Sequence, residues 1–283
     1  MNNREDYGHQ ETERRLWELE QRIEELYRQA VGELEQTIAE YFAAFQKRDE
    51  EMKALVSTGK VTQEHYRQWR LNQIGRGERF QHLRQQLAQR MTNANETATA
   101  YVKDITPGLY TLNRNYAAYT IEQAAGDVGF TLWDEQTVKR LVAESPELLP
   151  HYPAAKALKR GIDLKWGKKQ ITATVTSAIL QGKNLKAIAD SLQNRLEGMN
   201  RASAIRTART AVTGAENAGR LESYSAAEKM GIALQKEWIA TLDGRTRHSH
   251  AMLDGEQVPN KAEFSNGCRF PGDPQGPPHE VYN

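Results

Sequence analysis

The chain has 283 residues, enough for one large domain or two of ordinary size. Apolar residues make up 39% and charged residues 27%, and 38 Lys and Arg nearly balance 37 Asp and Glu. A single cysteine, Cys268, excludes an internal disulfide framework and a cysteine-rich zinc module. No apolar signal segment opens the chain, and no stretch approaches the length of a membrane span. We therefore expect a soluble protein of reducing cytoplasm, without a membrane partner.

The first half of the chain is predicted to be helical. From Glu11 onward, apolar residues recur at steps of three and four, which indicates a long amphipathic helix with a coiled-coil-like seam that ends before Ser57. Residues 11–51 hold twelve Asp and Glu against six Lys and Arg, a net charge of −6. This acidic arm suits docking to a partner or self-association. Further helices are predicted at 62–75, 77–105, 109–125 and 138–143, with a turn at Pro107-Gly108.

Three prolines punctuate the middle of the chain: Pro146, Pro150 and Pro153. We place a domain boundary there, because proline clusters interrupt helices and are typical of linkers. The prediction is a helical arm and bundle over residues 1–152, a docking candidate, and a second domain over residues 153–283.

The second half begins with helices at 162–180, 185–196 and 201–230, the last closed by Gly231. Residues 232–242 then alternate, which predicts a strand with Leu234, Trp238 and Ala240 on one face. The remaining tail is rich in glycine and proline. The expected fold class is α+β and predominantly helical, with a long N-terminal helical arm, a helical middle and a small β/loop-rich C-terminal subdomain.

Residues 156–210 carry twelve Lys and Arg against three Asp and Glu, a net charge of +9. A positive helical face can bind phosphate backbones without reading sequence. A solvated face, or a face that docks an acidic protein, explains the same composition. The DNA-binding candidates are Lys165, Lys168, Lys169, Lys183 and Lys186.

A cluster of histidines and carboxylates follows the predicted strand. Imidazole, thiolate and carboxylate groups bind zinc, so His248, His250, Cys268 and His279 are candidate metal ligands, although their spacing is poor. A metal-dependent nuclease or hydrolase would use His248, His250 and Asp243. Alternatively, the cluster has a structural role: Thr246 caps the start of a short helix, and Asp254 and Gly255 end it, with Gly255 at positive φ.

The C-terminal third contains a set of spaced motif residues that follow the Arg- and Thr-rich segment 206–219 and are accompanied by Phe264. The motif residues are Trp238, Asp243, Arg245, Arg247, His250, Asp254, Gly255, Pro271 and Asp273. In this order they resemble the phage Mu F-like minor head protein family over about residues 160–283. Some members carry Cys-x-x-Cys where this chain has residues 247–250, and those members are expected to bind zinc. Arg247 in place of the first cysteine implies a polar network here rather than a metal.

The resemblance implies a non-enzymatic head morphogenesis protein of a tailed phage or prophage, with no cofactor. Its implied partners are the portal protein, the major capsid or scaffold protein, and packaged DNA. Its implied location is the capsid interior near the portal, after assembly in the host cytoplasm. The metal-dependent nuclease or hydrolase remains the alternative from the residues alone, and a sequence-independent DNA-binding protein of the host is the second.

Overall fold

The structure, a computed structural model, describes residues 6–126, 129–145, 162–244 and 246–281. Helices dominate these residues, and a two-stranded sheet lies near the C-terminus, which confirms the predominantly helical α+β class. In chain order the described elements are α1 (Tyr7–Ala43), α2 (Gln46–Ser57), α3 (Gln63–Gln73), α4 (Glu78–Ala125), α5 (Glu135–Glu144), α6 (Ile162–Leu180), α7 (Leu185–Gly198), α8 (Arg201–Lys229), β1 (Gln235–Glu237), α9 (His248–Met252), β2 (Gln257–Pro259) and α10 (Pro278–Val281).

The chain forms two compact units, each assembled from separate stretches of sequence. Unit 1 comprises Met1–Gln21, Thr99–Tyr152 and Ile205–Asn283, and unit 2 comprises Arg22–Ala98 and Pro153–Ala204. The predicted division between residues 152 and 153 lies outside the described residues and stays a prediction. Within the described ranges, no helix is both long and apolar enough to cross a membrane.

The N-terminal helix is shorter than the sequence indicated. The prediction of one long helix that ends before Ser57 is wrong, because α1 ends at Ala43 and α2 begins at Gln46 after a two-residue turn. A buried polar cluster joins α2 to α3. Asp49 is 1% exposed, lies 3.2 Å from the Arg70 guanidinium and accepts a 2.7 Å hydrogen bond from the Tyr66 hydroxyl of α3.

The seam of α1 is buried within the chain, at positions that recur every three or four residues. Leu19, Ile23, Ala30 and Ile38 are each at most 1% exposed. The apolar surface that suggested self-association is therefore already covered. The exposed face of α1 carries charged residues and two large aromatic side chains, Tyr7 at its first residue and Trp17, which is 62% exposed.

Helix α4 continues through Pro107, so the turn predicted there is wrong. Proline leaves the Lys103 carbonyl without its usual amide donor, and the Thr106 hydroxyl lies 3.5 Å from that oxygen. Burial of Leu109 and Tyr110 directly after the proline favours continuing the helix. Such burial is worth about 1.5–3 kcal/mol per large side chain, comparable to the cost of about 3 kcal/mol for an internal proline.

The sheet consists of β1 and β2 in antiparallel register, with Lys236 opposite Val258. The predicted strand over residues 232–242 is thus real but much shorter. Its predicted face is correct, since Trp238 is buried and Leu234 and Ala240 are partly buried, with Lys236 also on this side. Gly231 has a φ of +88°, as expected for a glycine that closes the preceding helix.

Candidate functional site

A small apolar core holds the C-terminal subdomain, residues 232–281, together. The ring of Trp238 packs edge-on against Phe264 at 5.1 Å and against His250 at 5.3 Å between centroids. Burial raises the pKa of the Cys268 thiol to about 11, so this thiol is a packing residue and a poor metal ligand or nucleophile. The core residues are Trp238, Leu253, Phe264, Cys268 and Val281.

The segment after the strand forms a turn that is closed by side chains. The Thr246 hydroxyl donates to Asp243 Oδ1 and accepts from the Asp243 amide, each at 3.2 Å. Thr246 is therefore engaged in the turn, and its predicted role as the cap of the short helix is wrong: Arg247 occupies that position without a side-chain cap. The Arg247 guanidinium donates to the carbonyl of His279. Arg245 lies outside the described residues.

His250 belongs to a polar cluster around Glu280, a residue that the sequence motif did not include. The His250 Nε2 atom lies 3.0 Å from Glu280 Oε2 and 3.1 Å from the Glu280 carbonyl oxygen. Ser249 also donates to this carboxylate, at 3.1 Å, and His279 Nε2 lies 3.6 Å from its other oxygen. Burial alone would raise the pKa of Glu280, but hydrogen bonds from Ser249 and Asn266 and the neighbouring imidazoles lower it.

Asp254 and Gly255 join the end of α9 to the strand. Asp254 Oδ1 accepts a 2.8 Å hydrogen bond from the Ala240 amide. Gly255 has a φ of +81°, and its amide donates to the Trp238 carbonyl at 2.8 Å. Together the two residues extend the hydrogen bonding of the sheet beyond the last residue of β1.

The segment 271–273 attaches the tail to helix α8. Asp273 is 1% exposed and accepts from the Arg269 guanidinium at 2.7 and 2.8 Å. Burial would raise the pKa of Asp273, but the Arg269 guanidinium and backbone amides lower it. Gly272 has a φ of +78°, and a Cβ there would lie 2.7 Å from the amide nitrogen of Gly214 in α8. Only glycine fits this approach.

The four candidate metal ligands do not form one site. His250 and His279 both lie beside Glu280, His248 is exposed, and Cys268 is buried in the apolar core. Throughout the part of the chain that the structure describes, no three His, Cys, Asp or Glu side chains are arranged to hold a metal ion.

A cleft of about 500 Å³ lies within unit 1, and we call it the β1 cleft. Residues 235–241 line one side, and Pro271 and part of helix α8 line others. The start of α1 contributes His9. The volume lies in the range of ligand pockets, about 300–1,000 Å³.

A network of charged side chains ties the start of α1 to α8 beside this cleft. The Arg220 guanidinium bonds both oxygens of Asp6, at 2.6 and 2.9 Å, and also reaches Glu216 at 3.3 Å. Glu216 in turn lies 3.0 Å from His9 Nδ1. The hydrogen bond to Glu216 raises the pKa of His9 despite the opposing effect of burial. Sequence spacing carried no signal for this network, because its partners are some 200 residues apart.

Three of the five predicted DNA-binding lysines gather in one groove within unit 2. Lys165, Lys168 and Lys169 of α6 line it together with Arg84 of α4 and Thr172. The Arg84 guanidinium donates to the Thr172 hydroxyl at 3.2 Å, while its buried Nε atom makes no hydrogen bond. None of the three lysines forms an ion pair with a described residue. We call this surface the lysine groove.

The other two lysine candidates lie outside the lysine groove. Lys183 donates to the Ser191 hydroxyl at 3.0 Å, and Lys186 is exposed. Trp166, which lies next to Lys165 in the sequence, is 36% exposed. The geometry thus concentrates on one stretch of α6 positive charge that has no ion-pair partner among the described residues.

Comparison with known proteins identifies relatives for parts of the chain. Minor head protein GP7 of Bacillus phage SPP1 is 28% identical over 173 residues, which cover 60% of this chain and 54% of that protein. NAD(+)–arginine ADP-ribosyltransferase EFV of Enterococcus faecalis is 30% identical over 97 residues, or 34% of this chain and 20% of that enzyme. The chain thus spans about half and about a fifth of these curated relatives. No solved structure matches it.

The family comparison covers the subdomain, the whole of α8 and most of α6 described above. Residues 169–282 match the family model described as Phage Mu protein F like protein. These residues contain the Trp238 core, the Glu280 cluster and the Asp273 attachment. The similarity to the Phage Mu protein F like family therefore extends over residues 169–282 of this chain.

Proposed function

We propose that this protein is a minor head protein that acts in head morphogenesis of a tailed phage or prophage. The observation that carries the proposal is the family match over residues 169–282, and the similarity to the SPP1 minor head protein over 60% of the chain supports it. The role is structural rather than enzymatic. The ADP-ribosyltransferase match leaves four fifths of that enzyme unmatched, so its activity is not transferred to this chain.

The proposed protein partner is the portal, with the major capsid or scaffold protein as further neighbours inside the virion. The exposed face of α1 is the proposed docking surface, because its apolar seam is already buried within the chain. Trp17 is its best candidate anchor, since exposed tryptophans are frequent hot spots of protein interfaces.

The test is binding of the full-length protein to the purified portal protein encoded in the same phage genome. Trp17→Ala is expected to weaken binding at least about thirtyfold, which corresponds to the lower limit of about 2 kcal/mol for a hot spot. Leu132→Ala removes a similarly exposed apolar side chain, 67% exposed, and should leave binding unchanged. Equal affinities for the wild type and Trp17→Ala would reject α1 as the docking surface. Absence of binding would reject the portal as the partner.

The lysine groove is the proposed contact with packaged DNA. Its three unpaired lysines and Arg84 offer positive charge without a described carboxylate partner. Binding of such a surface to phosphates releases counterions, so affinity falls as salt rises, with a slope proportional to the number of contacts. The proposal requires no reading of base sequence.

The salt dependence of duplex DNA binding tests this contact. Replacing Lys165, Lys168 and Lys169 together by glutamine should lower the slope of log affinity against log salt by about 2 to 3. The control neutralises three exposed lysines elsewhere, changing the net charge equally: Lys47, Lys60 and Lys261. Equal slopes for the two variants would reject the lysine groove as the DNA contact.

The division into residues 1–152 and 153–283 also remains a proposal. Limited proteolysis should cleave first between residues 146 and 161 if a linker lies there. Persistent resistance of this stretch, with cleavage elsewhere, would reject the boundary.

A further inference from the structure

Among the residues that the structure describes, strand β1 is paired along only one of its edges. The Trp238 amide donates to the Glu256 carbonyl, and the Trp238 carbonyl accepts from the Gly255 amide. The backbone N–H and C=O groups of Trp238 therefore point toward β2. Residues of an antiparallel strand alternate in the direction of their backbone groups. The N–H and C=O groups of Gln235, Glu237 and Ile239 therefore point to the opposite edge. In the described sheet, β2 is the only neighbour of β1.

The β1 cleft meets this unpaired edge. All seven residues from Gln235 to Thr241 line it, whereas no residue of β2 does. Successive side chains of a strand lie on opposite faces, so a cavity that touches consecutive residues meets the strand along its edge. Helix α8 and the loop that contains Pro271 form other walls. The open backbone thus lies inside a walled cleft, which is the geometry that peptide recognition by strand addition requires.

We propose that the β1 cleft receives an extended segment of a partner protein, which adds to the free edge as an antiparallel third strand. The inference rests on the proposed head function only in expecting a protein partner. It is independent of the portal contact at α1 and of the DNA contact in the lysine groove.

The exposed side chains of the edge define the segment that fits. Glu237 is exposed, and its carboxylate accepts only a 2.9 Å hydrogen bond from the Gln257 amide, so a lysine or arginine belongs opposite it. Ile239 is 49% exposed, and a β-branched or aromatic residue belongs opposite it. In antiparallel order the partner segment therefore reads apolar, any residue, basic, any residue, polar, with the last residue opposite Gln235.

The probe is a capped peptide, acetyl-Val-Thr-Lys-Thr-Thr-amide, added to the full-length ¹⁵N-labelled protein. We expect amide shifts at Gln235, Glu237 and Ile239, and binding at least about threefold weaker for the peptide with glutamate in place of lysine. A peptide N-methylated at the lysine should not bind, because that amide is one of those that pair with the edge. Absence of shifts at millimolar peptide, or equal binding of the N-methylated form, would overturn the proposal.

A charge swap gives the second test. Glu237→Lys should reverse the preference, so that the glutamate peptide binds more tightly than the lysine peptide. Glu263→Lys makes the same substitution at an exposed position outside the cleft and should keep the wild-type preference. An unchanged preference in Glu237→Lys would contradict the proposed register. A concentration-dependent dimer that Glu237→Lys abolishes would assign the edge to a second copy instead and overturn the partner segment.

Discussion

Helix α8 approaches α4 so closely at Gly219 that a single methyl group should separate them. A Cβ at this position would lie 2.4 Å from the carbonyl oxygen of Tyr110 and 3.1 Å from the amide nitrogen of Arg114. Both atoms belong to backbone, so no side chain can rotate away. Because real Cβ contacts are essentially never below 3.0 Å, Gly219→Ala must displace the helices by about 0.6 Å. We expect a loss of about 1–3 kcal/mol in the free energy of unfolding, the usual cost of overpacking.

Gly32→Ala is the matched control for this substitution. Gly32 also lies within a helix, α1, but nothing lies within 4 Å of the Cβ it would gain. Alanine there should stabilise the protein by about 0.5–1 kcal/mol, the difference in helix propensity. Urea denaturation of both variants measures the two effects, and they should differ in sign. A Gly219→Ala variant as stable as Gly32→Ala would refute the close approach of α4 and α8.

Two further predictions concern charged groups. The pKa of His9 is raised by Glu216, so its contribution to stability is complete below about pH 6.5, the unperturbed value, and is lost as pH rises through the folded-state value. His9→Gln should therefore lower the melting temperature more at pH 5.5 than at pH 8.5. His248→Gln, at an exposed position, should leave the melting temperature unchanged at both pH values. Asp273→Asn should lower the free energy of unfolding by about 2 kcal/mol at pH 7, because it weakens the pair with Arg269. The difference between wild type and variant should shrink as pH falls through the lowered pKa of Asp273. Calorimetry across pH measures both, and a pH-independent difference would contradict either prediction.

The sequence predicted elements where local pattern and burial agree. The seam of α1 and the strand face that holds Trp238 follow from the spacing of apolar residues. The strand face is buried as expected, whereas the seam is buried within the chain itself and not against a partner. Helix α4 continues through Pro107, although proline usually ends a helix, because residues before and after this proline are buried. Local propensity is a weak prior that packing overrides, and sequence alone does not reveal which segments packing will cover.

The candidate site shows the same limit in its polar residues. The hydrogen bonds of this site that are local or cross only the small sheet involve residue types that are typical of turns, and such types can be recognised in a sequence. These residues are Asp243, Asp254 and Gly255. Glu280 stands 30 residues beyond His250, and only the folded tail brings the two together. The sequence held one weak indication of the close approach between Gly272 and Gly214. Gly214 lies inside α8, and a glycine inside a helix indicates a packing requirement.

The two compact units have a consequence for the order in which the chain can fold during synthesis. Unit 2 is complete once residue 204 has left the ribosome, but unit 1 needs residues up to 281. The first turns of α1 must therefore wait for α8 before the Asp6–Arg220 pair, separated by 214 positions, can form. Until then Asp6 and His9 lack their partners on α8, Arg220 and Glu216. A nascent chain stalled near residue 204 should thus hold a folded unit 2 and an N-terminus that chaperones can still bind.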